Sequence, residues 1–370
     1  MKWRIAVLGG DGVGPEVMEA SLEVLRATAE RYDHELDTDV QDVGFAAYER
    51  TGHPLPEETL ATCRGADAVL LGAVGDPRSD GIPVELRPEA ALLALRKEMG
   101  CYANLRPVRL LPALASASPL RPEVVEGTDL VIVRELAGGL YYSEPRGPLD
   151  DGRAAVDTMK YHQDEVVRIA RVAFETALGR RKSVLSVDKA NVLHSSRLWR
   201  RVVDEIAEEY PDVECGHMLV DRAAMELVLN PSSFDVVLTP NLFGDVLSDE
   251  AAAVVGSIGL LASASIGGGG GIFEPVHGSA PDIAGTGTAN PLAMILSVAL
   301  LLRHVYSLDA EPTAIESAVG QVLEDGLRTR DLIREGAIAG AEPRARTVGT
   351  AEMGAAVAAA ISNAEVGADA

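Results

Sequence analysis

The sequence predicts an α/β protein with a largely parallel sheet, divided into two domains. Short apolar runs read as buried strands, and amphipathic helical stretches follow most of them. A chain of 370 residues also exceeds what one core usually holds, at roughly 150 residues per domain. The first buried strand covers residues 5–8 and is broken by Gly9-Gly10-Asp11-Gly12. Pro15 then opens a helix with Val17, Leu22 and Leu25 on its inner side. Further buried strands fall at 68–71, 130–133, 184–187 and 236–238, and an alternating strand at 213–220. Helices are expected over 89–99, 162–178, 195–209 and 245–256. The longest apolar run, 291–303, is too short to span a bilayer of about 30 Å. It is expected to be a helix buried on all sides. Gly267 to Gly271, five glycines in a row, read as a flexible connection with no core of its own. The stretch after Ala351 is alanine-rich and ends in a polar tail expected to fray. No repeat of fixed period is visible.

Composition narrows the function. Hydrophobic residues at 47% and charged residues at 24% describe a globular chain and exclude a disordered one. The 56 acids outnumber the 33 lysines and arginines, for a formal charge of −23, which argues against broad nucleic-acid binding. Only five residues are lysine, a bias that codon composition and salt adaptation would each produce. Cys63, Cys101 and Cys215 stand alone, with no C-x-x-C pair, so neither a disulfide framework nor a zinc ribbon is expected and the reducing cytoplasm fits. The apolar stretch within residues 1–10 is too short for a signal peptide.

Several residues carry candidate chemistry. Gly9-Gly10-Asp11-Gly12-Val13-Gly14 follows a strand and opens a helix, yet no G-x-G-x-x-G can be laid on it, so a structural turn is the plainer reading. Asp245 and Asp249, four apart, share one helix face and repel. Either the helix N-terminal dipole or a hard divalent cation such as Mg²⁺ or Mn²⁺ would offset them, and Asp221, at the end of the alternating strand, is placed to join a cation. Arg96, Arg106 and Arg134 sit beside apolar runs, where arginine meets carboxylates bidentately or snorkels. Three together in so acidic a chain favour an anion site. Lys189, at a strand end, is a candidate base, and Tyr141 a candidate proton donor or acceptor.

Taken together these segments resemble the β-decarboxylating dehydrogenases. The matching pieces are Gly9 to Glu16, Asn104-Leu105-Arg106-Pro107, Arg134-Glu135-Leu136, Asp188-Lys189-Ala190-Asn191, Asn241 to Asp245 and Glu274 to Gly285, in family order. The resemblance implies a two-domain fold of the isopropylmalate-dehydrogenase type, with a discontinuous nucleotide-binding domain at 1–101 and 256–370. Residues 102–255 would form the dimerisation and metal/substrate domain, with an arm around 140–159 pairing across a homodimer and the site in the cleft between domains. It implies that Arg96, Arg106 and Arg134 grip the malate carboxylates. Asp221 from one subunit joins Asp245 and Asp249 of the other on Mg²⁺ or Mn²⁺, and Lys189 likewise crosses over to act as base, with Tyr141 as acid. NAD is implied without a Rossmann fingerprint, held around Glu274, His277, Gly278, Ser279, Ala280, Asp282, Ile283 and Asn290, with Glu89 bordering the nicotinamide. Asp282 would take the ribose hydroxyls and repel a 2′-phosphate.

Leu92 and Leu93 stand where isocitrate enzymes carry polar residues, so the substrate expected is 3-isopropylmalate, oxidised and decarboxylated in leucine biosynthesis. Homoisocitrate, isocitrate, tartrate and D-malate are the alternatives within the family. A Mg²⁺-dependent phosphate-handling protein is the alternative outside it, without its P-loop form, since no G-x-x-x-x-G-K-[ST] occurs. A non-catalytic relative that only binds is a third. Neither nucleic acid nor membrane is expected as a partner.

Overall fold

The computed structural model describes residues 1–333 and 345–364. The polar tail expected to fray lies mostly outside the described residues. The chain forms two compact units, one of Met1–Gly100 with Ser257–Ala370, the other of Cys101–Gly256.

The first unit begins with β1 (Lys2–Gly10), α1 (Gly14–Arg31), β2 (Glu35–Gln41), α2 (Phe45–Thr51), α3 (Glu57–Gly65), β3 (Ala68–Ala73) and α4 (Pro88–Glu98). The second unit comprises β4 (Cys101–Arg109), α5 (Pro122–Val125), β5 (Asp129–Glu135), β6 (Arg146–Leu149), β7 (Ala154–Asp157), α6 (Gln163–Leu178), β8 (Ser183–Asp188), α7 (His194–Ala207), β9 (Glu214–Leu219), α8 (Val220–Leu229), β10 (Val236–Thr239) and α9 (Asn241–Val255). The chain then returns to the first unit with β11 (Ala262–Gly267), β12 (Gly271–Pro275), α10 (Leu292–Val305), α11 (Ala310–Glu324) and α12 (Thr350–Asn363).

Within the first unit the strand order is β2-β1-β3-β12-β11, parallel except for the β11–β12 hairpin. Within the second it is β4-β5-β10-β8-β9, parallel except for β4 against β5. The largely parallel sheet is therefore present. Its central strands are apolar on both faces, as strands covered on both sides must be: β3 is buried at every residue, and so is β10. The apolar run near residue 291 is α10, whose Leu292 to Ile295 and Ser297 to Leu302 are all buried, as expected of an enclosed helix.

Among the strands that sequence reasoning missed, β2 and β4 were missed for identifiable reasons. β2 (ELDTDVQ) pairs with β1 but is mostly exposed, so it carries no apolar run. β4 contains Pro107 and three charged or polar side chains, yet pairs along its length with β5.

The five glycines are a correction. Gly267 ends β11 and Gly271 opens β12, where it pairs with Ile266, so the run forms a hairpin turn inside the core sheet and not a free linker. Only the middle of the run turns. Gly270 has φ +66, and a Cβ there would fall 2.7 Å from the Asp67 carbonyl oxygen, whereas Gly268 and Gly269 face open space. Gly269→Ala is therefore expected to be neutral or to raise stability by about 0.5 kcal/mol through the unfolded chain, and Gly270→Ala to lower it by more than about 1 kcal/mol. Urea unfolding of the two variants checks this, and equal effects would contradict the turn.

Candidate functional site

In the second unit, β4, β5 and α9 bring charged side chains to one place. Arg134, the last residue but one of β5, is 2% exposed, and its Nε donates to the Asn241 carbonyl at 2.9 Å. Its Nη2 donates to Asn241 Oδ1 at 2.8 Å and its Nη1 to Asp245 Oδ1 at 2.5 Å. Arg106, on β4, donates from Nε to Asn104 Oδ1 at 2.7 Å and from Nη1 to Ser248 Oγ at 2.5 Å. Its Nη2 lies 3.4 Å from Asp245 Oδ1, and its Nη1 3.8 Å from Asp249 Oδ1. Tyr141 donates its hydroxyl to Asp245 Oδ2 at 2.8 Å, with the Arg134 guanidinium 5.6 Å from its ring centre. Burial and then the hydrogen bond to Asp245 push the Tyr141 hydroxyl above its usual range, so it keeps its proton at neutral pH.

This arrangement corrects the dipole reading of the two aspartates. α9 begins at Asn241, four residues earlier than expected, and no acid lies in its first turn. Asp245 and Asp249 therefore sit beyond the reach of the helix terminus. Arg106 and Arg134 supply the offsetting charge. Asp221 differs again: β9 ends at Leu219, and Asp221 lies in the first turn of α8. It is exposed and accepts from Lys189 Nζ at 2.5 Å, which holds its carboxyl below the usual range. Among the described residues no three acids, histidines or cysteines gather to hold a metal, so Asp221 does not join Asp245 and Asp249 within one chain.

Lys189 is set by its neighbours. Its backbone N–H donates to Ser196 Oγ at 3.1 Å, and buried Asp188 before it is gripped by Arg200 through Nε at 2.9 Å and Nη2 at 2.8 Å.

In the first unit, Arg96 on α4 is buried and pairs with Glu274 of β12 at 2.6 Å. The structure thus brings Arg106 and Arg134 together, and places Arg96 against a residue expected beside the cofactor. Leu92 and Leu93 on the same helix are half-buried, unlike the buried Leu95, so their side chains are open to contact.

A cavity of about 320 Å³ lies where β12 leads into α10. Of the expected cofactor residues, His277, Ala280, Ile283 and Asn290 line it, while Glu89, Glu274, Gly278, Ser279 and Asp282 do not. Sequence reasoning missed Val13, Ile258 and Asp331 in its wall. Val13 lay in a flagged motif, but no spacing signals Ile258 or Asp331, which chain reversal alone brings there. His277 Nδ1 faces the Gly278 carbonyl at 2.9 Å, and its buried Nε2 has no partner. Burial pushes this imidazole down, so it is neutral at pH 7, and the Nδ1 contact leaves Nε2 as an acceptor. The Asn290 amide is already used, donating to Asp331 and accepting from Leu292 N–H.

Two α/β units, one with buried arginines around a carboxylate and one with a largely apolar cavity beside β12, are the frame of a dehydrogenase, the class that known proteins of similar sequence define. The chain belongs to the isocitrate/isopropylmalate dehydrogenase family, whose profile matches residues 4–357. It is 54% identical over 338 residues to the 3-isopropylmalate dehydrogenase of Bacillus licheniformis, covering 90% of this chain and 91% of that one. The enzyme of the same name from Aquifex aeolicus is 53% identical over 339 residues, covering 91% and 93%. Among solved structures, isocitrate dehydrogenase of Methylococcus capsulatus superposes with a TM-score of 0.82 at 37% identity, over 98% of this chain and 99% of that one.

Glu135, at the end of β5, is fully buried and accepts from the backbone N–H groups of Ala137 at 2.7 Å and Gly138 at 2.9 Å. Burial, only partly offset by those bonds, pushes its carboxyl up to about 7 from an ordinary 4.5. The folded state therefore favours the protonated form. Its contribution to stability is highest below about pH 4.5 and is lost as pH rises through about 7. Glu135→Gln removes this titration. The stability of the native protein relative to the variant should fall by about 3 kcal/mol between pH 4.5 and pH 8. Urea unfolding of both at the two pH values checks this; a constant difference would mean that burial leaves Glu135 unshifted.

Proposed function

We propose that the chain catalyses the NAD-dependent oxidative decarboxylation of 3-isopropylmalate to 4-methyl-2-oxopentanoate and CO₂, in leucine biosynthesis, as a cytoplasmic homodimer. The observation that carries this reading is the convergence of Arg106, Arg134 and protonated Tyr141 on Asp245, in a chain more than half identical to enzymes named for that substrate.

Asp245 and Asp249 fit a hard cation: both offer carboxylate oxygens, one helical turn apart, at 34% and 60% exposure. Asp221 of a second copy completes the set in this reading. A bound Mg²⁺ or Mn²⁺ supplies Lewis acidity that eases loss of the hydroxyl proton and draws electron density from the new carbonyl. Arg96, Arg106 and Arg134 hold the substrate carboxylates. Lys189 takes the hydroxyl proton, directly or through water, as hydride leaves for NAD⁺. Tyr141, whose hydroxyl stays protonated, delivers a proton to the carbon that loses CO₂.

The cavity suits a nucleoside. Val13, Ile258 and Ile283 offer apolar walls, and His277 Nε2 offers an unpaired buried acceptor to an amino group of adenine. Exposed Asp282 beside it accepts ribose hydroxyls and disfavours a 2′-phosphate. Glu89, Glu274, Gly278, Ser279, Ala280 and Asn290 complete the cofactor surroundings in this reading.

An exposed apolar face supports the dimer. Met225, Val228 and Leu229 of α8 and Val246 of α9 are 63%, 37%, 64% and 60% exposed, and a second copy would bury them. The β6–β7 hairpin, antiparallel and carrying exposed Leu149, is the proposed arm. Three free cysteines suit a reducing compartment, and no described helix is long and apolar enough to cross a membrane.

Mixing the protein with NAD⁺, Mn²⁺ and 3-isopropylmalate should raise absorbance of NADH. EDTA should abolish the rise, and Asp245→Asn should lower turnover by about a hundredfold or more with partial recovery at high Mn²⁺. Full activity in EDTA would remove the cation from the reading.

Substrate choice has its own test. Changing Leu92 and Leu93 to serine should cost about thirtyfold in kcat/KM for 3-isopropylmalate, the worth of burying an isopropyl group. D-malate should be processed nearly as before. Parallel loss on both substrates would make the two leucines plain packing residues, and preference of the native enzyme for isocitrate would move it to another branch of the family.

A further inference from the structure

The glycine-rich turn after β1 is left unused by the chemistry above, yet its one acid is only 5% exposed. Asp11 Oδ2 accepts from the backbone N–H groups of Gly75 at 2.9 Å and Phe45 at 3.0 Å, and Oδ1 from that of Ala46 at 3.0 Å. Its own N–H donates to the Ala73 carbonyl at 2.8 Å. Two residues on, the Val13 N–H donates to the Ser279 carbonyl at 2.8 Å, and Val13 itself lines the cavity. Gly12 allows that approach, since with φ +58 a Cβ there would lie 2.0 Å from the Ser279 oxygen. Four stretches of chain therefore meet on this turn: the start of α2, the end of β3, the loop opening at Gly75, and the loop at Ser279.

We infer that Asp11 is a positioning residue for the nicotinamide-nucleotide site, fastening the Gly75 loop to the turn that also holds the Ser279 loop. The inference rests on reading the first unit as the NAD-binding one. A Cβ on Gly75 would lie 3.3 Å from Ser279 Oγ and 3.4 Å from Glu89 Oε1, so the fastened backbone is in the midst of two side chains assigned to the cofactor. The turn is thus unlike a phosphate cradle: its own N–H groups at Asp11, Val13 and Gly14 already donate to the carbonyls of Ala73, Ser279 and Asp11. The N–H groups of Phe45, Ala46 and Gly75 that meet the turn are likewise taken, by its carboxylate.

The need for an acid here is a matter of lone pairs. Three N–H donors approach from two sides, and a carboxylate offers acceptors on both oxygens. An asparagine offers one oxygen and turns an NH₂ group toward the remaining donors, so Asp11→Asn keeps the shape and breaks the fastening on one side.

The test uses the whole protein and three readouts. In Asp11→Asn, amide hydrogen exchange in peptides spanning 74–88 should quicken, while peptides within 101–256 keep native rates. NADH affinity, read by fluorescence, and KM for NAD⁺ should each weaken by about tenfold, with KM for the malate substrate within about twofold of native. Asp11→Glu, which keeps the charge and lengthens the arm, should recover part of the affinity. Native exchange and native NADH affinity in Asp11→Asn would overturn the inference, as would quickened exchange throughout the chain. Failure of the unsubstituted protein to bind NADH would instead overturn the cofactor reading, and the positioning role with it.

Discussion

The polar centre of the second unit depends on the charge of Asp245. Two guanidinium groups at 6% and 2% side-chain exposure lie against it, and neither would be tolerable there without a counter-charge. β4 and β5 each contribute one arginine and α9 the carboxylate, so the ion pairs tie a strand pair to a helix as well as balancing charge. Asn241 at the start of α9 adds to this by accepting from Arg134 through both its backbone and side-chain oxygens. A ligand that brings its own carboxylates would compete for those same guanidinium donors, which makes the centre responsive to anions.

Much of the architecture was legible because parallel strands covered on both faces must be apolar throughout. β3, β5, β8 and β10 announce themselves this way, and each was located to within about two residues. The signal fails where burial is one-sided or absent, as in acidic β2, and where special backbone replaces side chains, as in the glycine hairpin between β11 and β12. Of the site, Arg106, Arg134, Tyr141 and Asp245 were picked out by local setting and then by resemblance, and they meet. What local sequence lacked was the start of α9. An alternating helical pattern marks the apolar face from Leu247 onward, but Asn241 to Gly244 have no such pattern, so the two aspartates seemed to open the helix.

Buried charge in this chain is of both signs. The excess of acids gives −23 overall, and among the described residues six carboxylates and four arginines are buried. The site arginines each meet a carboxylate, Arg96 that of Glu274 and Arg134 that of Asp245. Arginine suits this because its planar fork satisfies several oxygens at once and it cannot shed its proton to escape burial. Lysine appears at one candidate position only, Lys189, where a group that does release its proton is of use.

The order in which the chain runs has a consequence for synthesis on the ribosome. The second unit is one unbroken stretch, Cys101–Gly256. The first unit is made early and late in translation: β3 waits for β12, and α1 packs against α12, the last of the described helices. The nascent chain therefore carries β1, α1 and β3 with their apolar faces uncovered while more than a hundred and fifty further residues are added. Slow elongation late in the message would lengthen that exposure, so chaperone demand during synthesis should concentrate on residues 1–100 and ease only after α12 leaves the exit tunnel.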